Sequence, residues 1–251
     1  MNRLDAASYP DIARYMEKDA CGVVYPLSIV ERNQYGDIYT EGSSVLLWHD
    51  CGFAFLYGVC GNSFLEQIYT RFLCPESILP RRFVLFTASD RVERFFRGKE
   101  RLAFGTRYSY EYPHQKPVHV ANLPLGYSVR DFDESLFGSV QGRITPRFSW
   151  RDASAFLGKG KGCCVLHEGR AVAWAFSAAV SSDEIDIGIE TASDDRKRGL
   201  GTCVAEMMVE RCFMQGKRPV WSCDAANLAS QKLAEKAGFQ KVSAYTVIKG
   251  Q

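Results

Sequence analysis

The segment Ile189-Glu190-Thr191-Ala192-Ser193-Asp194-Asp195-Arg196-Lys197-Arg198-Gly199-Leu200-Gly201-Thr202 concentrates the residue types that handle phosphate. A strand ends, the chain turns through polar residues, and a helix begins at a Gly-x-Gly flanked by basic side chains. The first N–H groups of a helix have no intrahelical acceptor and sit at the positive end of its dipole, which suits a pyrophosphate. Gly199 and Gly201 put no Cβ between a ligand oxygen and the backbone. Arg196, Lys197 and Arg198 add charge-assisted hydrogen bonds. A Walker loop needs Gly-Lys-Ser/Thr after four spacers, which is absent, and a dinucleotide fingerprint needs a third glycine where Val204 stands. The pattern that fits is Arg/Gln-x-x-Gly-x-Gly/Ala.

Elements on either side must position this loop. Gly126 to Phe132 reads as a strand, and Phe148 to Asp152 leads into a short helix. Gly162 to Leu166 and Ala171 to Ala179 read as a hairpin around the turn 167–170. Glu184 to Thr191 follows as a third strand, alternating Ile185, Ile187 and Ile189 with Asp186, Gly188 and Glu190. Leu200, Val204, Met207 or Met208, and Cys212 recur at helical spacing, and Gly216 is a stop. Arg218 to Cys223 is a strand, Asn227 to Ala237 a helix closed by Gly238, and Val242 to Ile248 a last strand. The N-terminal half repeats this rhythm more faintly. Ser43 to His49 and Gly52 to Val59 pair as strands, Asn62 to Leu73 is a helix, and Arg82 to Thr87 a strand. Ser89-Asp90 caps a helix over Arg91 to Arg97, and Arg101 to Tyr112 is strand-like. Pro113, Pro117 and Pro124 mark a soft boundary, giving lobes of residues 1–122 and 123–251.

A second stretch agrees with the loop. Trp221-Ser222-Cys223-Asp224-Ala225-Ala226-Asn227 runs through a strand into a helix that closes on Ala237-Gly238-Phe239. With the Arg196 to Gly201 motif and the order of elements, residues 125–251 resemble the GNAT superfamily of N-acetyltransferases. That resemblance implies an α/β (α+β) fold with a mixed, mostly antiparallel central sheet and flanking helices. The N-terminal lobe is then a degenerate relative of the C-terminal one. The cosubstrate implied is acetyl-CoA. Its pyrophosphate meets the amides from Arg196 to Thr202, including those of Lys197, Arg198, Gly199 and Leu200. Its pantetheine pairs with backbone near Ile189 and Thr191 like an added strand, where the third strand parts from the strand around Val220. Asn227 faces the pantetheine arm or simply caps its helix, with Ser230 in the first turn. The counterpart loop of the N-terminal lobe, Gly58 to Asn62, lacks basic residues, which argues against a second CoA site.

Acetyl transfer to an amine needs a neutral amine, a polarised thioester carbonyl and a protonated leaving thiolate. By the resemblance, Glu190 lies beside the thioester and is the expected general base, directly or through water, with Asp186 as the fallback. A strand N–H near Ile189 or Thr191 would hold the oxyanion. Many family members place a Tyr in the second helix as proton donor. Here Ala234 stands at that position, which leaves Tyr245 on the last strand as the nearest candidate. The alternative for Glu190 is a solvated carboxylate or an ion-pair partner, and for Tyr245 a packed aromatic.

Composition bounds the rest. With 251 residues, 46% hydrophobic and 24% charged, the chain can bury a sizeable core. A net charge of only +2, balanced in both halves, disfavours a nucleic-acid partner. No apolar run is long enough for a membrane span, and Met1 to Asp5 opens no signal core, so a cytoplasmic protein is expected. The nine cysteines form no C-x-x-C pair and read as buried hydrophobes; no metal site is expected. The acceptor is expected to be a small-molecule amine. The alternatives are a peptide or protein amine, or an acyl-CoA-binding regulatory protein without catalysis.

Overall fold

The computed structural model describes residues 1–16, 23–113 and 123–251. Cys21 and the proline-marked boundary from 114 to 122 lie outside these. Two compact units emerge, and neither is a single run of chain. The first takes Met1–Ser109, Asp224–Ala226 and Ser243–Gln251; the second takes Tyr110–Cys223 and Asn227–Val242. A single cut at 122/123 does not describe these units, because the end of the last strand returns to the first.

In the first unit a two-residue strand, β1 (Asn2–Arg3), precedes a 3₁₀ segment over Ala6–Tyr15 and helix α1 (Val24–Val30). Strands β2 (Gly36–Glu41), β3 (Ser44–His49) and β4 (Phe53–Tyr57) form an antiparallel meander. Helix α2 (Asn62–Ile68) crosses over to β5 (Val84–Thr87), which pairs parallel to β4. Helix α3 (Asp90–Arg97) and strand β6 (Leu102–Glu111) follow. Ser89 caps α3 by accepting from the Val92 N–H at 3.4 Å. The expected single helix over Asn62 to Leu73 instead continues past Ile68 as a π-helical turn, Tyr69–Leu73. Its wider turn sets Phe72 and Leu73 into the same core as Trp48, Phe64, Phe83 and Phe96.

The second unit opens with β7 (Tyr127–Asp131), α4 (Glu134–Ser139), a 3₁₀ turn at Pro146–Phe148 and α5 (Ala153–Lys159). Strands β8 (Gly162–His167), β9 (Arg170–Val180) and β10 (Glu184–Thr191) form a second antiparallel meander beside β7. Helix α6 (Leu200–Met214) crosses to β11 (Arg218–Asp224), parallel to β10; helix α7 (Leu228–Ala237) and β12 (Gln240–Gly250) close the chain. Along the sequence, both halves of the chain therefore run through three antiparallel strands, a helix, a parallel strand, a helix and a strand. The far end of β12 pairs with β5, Thr246, Val247 and Ile248 opposite Thr87, Phe86 and Leu85.

Helix α6 is buried along Leu200, Val204, Ala205, Met208, Val209 and Cys212, as its spacing predicts, and Gly216 ends it at φ +68°. Helix α7 closes on a Schellman motif. Gly238 takes φ +105°, its N–H donates to Glu235 O, and the Phe239 N–H donates to Ala234 O, both at 3.0 Å. The turn drops the Phe239 ring against Trp221 and Tyr112, which explains the closing Gly-Phe in physical terms.

Candidate functional site

Strands β10 and β11 are registered only at Glu184, Ile185 and Asp186 opposite Arg218, Pro219 and Val220. Beyond Asp186 the register ends, and Ile187 to Thr191 run on with β9 as their registered neighbour. A bulge between Asp186 and Ile187 marks the place where the strands part. The backbone of Ile189 and Thr191 thus borders an open edge on the β11 side, the kind of edge an extended ligand can join.

The basic loop follows that edge. Lys197 and Gly199 both take left-handed backbone, φ +63° and +82°, and the first helical bond runs from the Cys203 N–H to Gly199 O at 3.1 Å. The amides of Leu200, Gly201 and Thr202 precede that bond and have no helical acceptor. Arg196, Lys197 and Arg198 are exposed. The Arg196 Nε donates back to Thr191 O at 3.2 Å, and the Arg198 Nη1 donates to the Tyr127 hydroxyl at 2.9 Å. Tyr127 stacks on His167 with ring centroids 4.5 Å apart and lies 3.5 Å from buried Asp195 through its hydroxyl. This brace from β7 was not predicted, since nothing local to Tyr127 ties it to a loop about 70 residues on.

Asn227 Oδ1 accepts from the Ser230 N–H at 3.1 Å, so the capping role is present in the geometry. The Ser230 hydroxyl in turn accepts from the buried Trp221 Nε1 at 3.1 Å. Helix α7 is therefore tied at its first turn to β11, the far bank of the gap.

Glu190 is half-buried, and its Oε2 accepts the Ile144 N–H at 2.7 Å. The Ile144 carbonyl accepts from the Trp174 Nε1 at 2.8 Å. Trp174 and Glu190 are direct cross-strand partners on β9 and β10, so two neighbouring side chains hold one residue of the segment before Pro146. Gly142 completes the fit, because a Cβ there would lie 2.7 Å from Glu190 Cδ. Asp186 is buried and receives the Ser222 hydroxyl at 3.4 Å, and Glu184 at the start of the strand pairs with Arg218 at 2.6 Å. Burial holds the Glu184 carboxyl above its ordinary range, opposed by Arg218.

Tyr245 lies in the first unit, 5% exposed and edge-on to Phe86 at 5.7 Å, so it packs as a core aromatic; Glu190 belongs to the second unit. Ala234 is fully buried. Burial pushes the Cys60 and Cys163 thiols up to about 11 and raises Cys164, Cys203 and Cys212, so none of these is an activated nucleophile.

The family described as GNAT acetyltransferase matches residues 26–248. An uncharacterized N-acetyltransferase of Bacillus subtilis (strain 168), YdfB, is 27% identical over 217 residues, spanning 85% of this chain and 83% of that protein. A GCN5-related N-acetyltransferase-like protein from Streptococcus suis 89/1591 shares the fold at a TM-score of 0.76 and 24% identity, covering 98% of this chain and 99% of its own. A tandem GNAT protein from the clavulanic acid biosynthesis pathway does so at 0.60 and 12%, covering 97% and 93%. The family match begins at residue 26, so it is not confined to the half that carries the motifs. Two motifs near one open strand edge, on a mixed and mostly antiparallel sheet flanked by helices, have their place in that match: the chain belongs to the GNAT acetyltransferase family and is an N-acetyltransferase.

Proposed function

We propose that this protein moves the acetyl group of acetyl-CoA onto the primary amine of a small molecule, by direct attack within a ternary complex. The observation that carries this reading is the juxtaposition of the open edge of β10 with the amide-rich, arginine-flanked start of α6. The pyrophosphate is taken by the amides between Arg196 and Thr202, with the Arg196, Lys197 and Arg198 side chains around it. The pantetheine lies along Ile189 and Thr191, with Asn227 and Ser230 on the opposite bank. An N–H of the strand end holds the carbonyl oxygen as it becomes an oxyanion. Glu190, with Oε2 engaged by Ile144, takes the proton of the ammonium through its other oxygen, directly or by way of water. The amine nitrogen then bonds to the thioester carbon and the C–S bond breaks. One of the two N–H protons on the intermediate's nitrogen goes to the departing sulfur and the other stays on the amide, so the step needs no tyrosine at position 234.

We assign acetyl-CoA binding to residues 123–251 alone and read residues 1–122 as a related lobe without a cofactor site. The repeated order of elements supports the kinship, as does the likeness in fold to the tandem GNAT protein of the clavulanic acid biosynthesis pathway. In the first unit Arg91 occupies the loop before α2, donating to the carbonyls of Val59 and Cys60 and to Asn62 Oδ1. The loop is thereby closed on a guanidinium of the chain itself.

Calorimetric titration with acetyl-CoA tests the cofactor, with one site per chain expected. Release of free CoA across a panel of spermidine, kanamycin, L-lysine and a lysine-containing peptide tests the acceptor. Turnover of the peptide alone would replace the small-molecule reading, and binding without any turnover would replace catalysis by sensing.

A further inference from the structure

Between α4 and the turn at Pro146 a short strap, Gln141 to Thr145, is bonded to the side chains of Trp174 on β9 and Glu190 on β10. Gln141, Gly142 and Arg143 are exposed, and among the described residues 141–144 make only two hydrogen bonds, both at Ile144. One is charge-assisted, from the Ile144 N–H to Glu190 Oε2 at 2.7 Å; the other comes from a tryptophan that is 1% exposed. The strap's ends are fixed separately, by the Val140 N–H to Leu136 O at 3.1 Å and the Phe148 N–H to Thr145 O at 2.8 Å. Among the described residues, the hydrogen bonds that hold its middle thus come from Glu190 and Trp174. Gly142 lets the carboxylate in, since any side chain there would take its space.

We propose that Glu190 and Trp174 jointly position the Gln141–Thr145 strap as a wall for the incoming amine, with Gly142 as the residue that admits the Glu190 carboxylate beneath it. The inference rests on the reading that the thioester lies along the end of β10. A segment laid on the Glu190 carboxylate then borders the reacting carbonyl and lies on the approach of the group that must reach it. Glu190 has two separable tasks: Oε2 anchors the strap, and the other oxygen takes the proton. Trp174 and Gly142 are positioning residues, acting through the strap.

The two tasks separate by substitution. Glutamine at 190 keeps an acceptor for the Ile144 N–H and loses the base, whereas alanine loses both. Exchange of the Ile144 amide, followed by NMR, should be slow in the native protein and in E190Q. It should be about tenfold or more faster in E190A and G142A, as expected for one lost charge-assisted bond. With the panel amine that turns over fastest, E190Q should lower kcat and leave KM for the amine unchanged. G142A should raise KM for the amine several-fold, with KM for acetyl-CoA unchanged and kcat largely retained. W174F, which removes the other bond, should act in the same direction as G142A.

Unchanged Ile144 exchange in E190A would overturn the anchor. Faster exchange with both KM values unmoved, or moved together, would overturn the role toward the amine. If no panel amine turned over in the native protein although acetyl-CoA bound, the proposed function would fail and the amine wall with it. The exchange data would still decide the anchor. Full activity in E190Q with slow exchange would remove Glu190 as base and leave the strap assignment standing.

Discussion

Gly201 packs against Thr191: a Cβ at position 201 would stand 3.2 Å from the Thr191 hydroxyl and 3.4 Å from Leu233 Cδ2. The second glycine of the motif therefore sits where α6 closely approaches the end of β10 and helix α7, with room for little more than a methyl group, whether or not a phosphate is bound. Gly201→Val should lower folding stability by about 1–3 kcal/mol through overpacking, as well as weakening acetyl-CoA. Arg196→Glu changes an exposed side chain and reverses its charge beside the phosphate amides. It should weaken acetyl-CoA at least about tenfold while moving stability by less than about 0.5 kcal/mol. Urea unfolding and calorimetry on both variants separate the two effects. Unaltered affinity in Arg196→Glu would remove this arginine from the phosphate site.

Asn227 offers a similar separation. Its Oδ1 caps α7 through the Ser230 N–H, so Asn227→Ala should cost about 1 kcal/mol of stability, whereas Asn227→Ser should restore most of it. If Asn227 also meets the pantetheine, the serine variant should bind acetyl-CoA several-fold more weakly at near-native stability. Native affinity in Asn227→Ser would leave capping as its whole role.

Tyr127 braces the loop from another strand. Removing its hydroxyl frees Arg198, held at 2.9 Å, and leaves the His167 stacking in place. Tyr127→Phe should therefore weaken acetyl-CoA by about three- to tenfold, the scale of one net hydrogen bond, and cost about 1 kcal/mol of stability because buried Asp195 loses the hydroxyl as well. Calorimetry at low and high salt sharpens the test: if the loss comes through Arg198, the gap between native and variant should narrow as salt rises.

These tests follow the division between what was legible in the sequence and what was not. Strand β10 is legible at its observed bounds because isoleucine alternation makes a period-2 signal, and helices α6 and α7 end at glycines the sequence marks. The loop from Arg196 to Thr202 was legible because its chemistry is local. Tyr127 and the strap at Ile144 were not, since their contacts with Arg198 and Glu190 join residues about 70 and 46 apart. Helix α1 carries Pro26 among β-branched residues, and propensity argues against it; its burial decides otherwise. Strand β2, Gly36–Glu41, offers no clean alternation and is held by pairing on both sides with β1 and β3. The return of β12 to β5 lies beyond any local signal, because register with a distant strand sets it.

His49 gives the first unit a pH dependence of its own. The ring is fully buried; its Nδ1 accepts the Cys51 N–H at 3.0 Å, and its Nε2 has no hydrogen-bond partner among the described residues. Burial therefore pushes its pKa down, from 6.5 to about 3, against the pull of Asp50. Below about pH 6.5 the unfolded chain takes up a proton that the folded chain refuses, so stability falls as pH falls, and this loss levels off only near pH 3. At pH 5 the deficit from this one group is about 2 kcal/mol relative to neutral pH. His49→Leu should be less stable at pH 7, because the Cys51 N–H loses its acceptor. It should, however, lose about 2 kcal/mol less than the native protein between pH 7 and pH 5. Urea unfolding at the two pH values measures this directly, and parallel losses in both proteins would show that His49 takes up its proton equally in the folded and unfolded states.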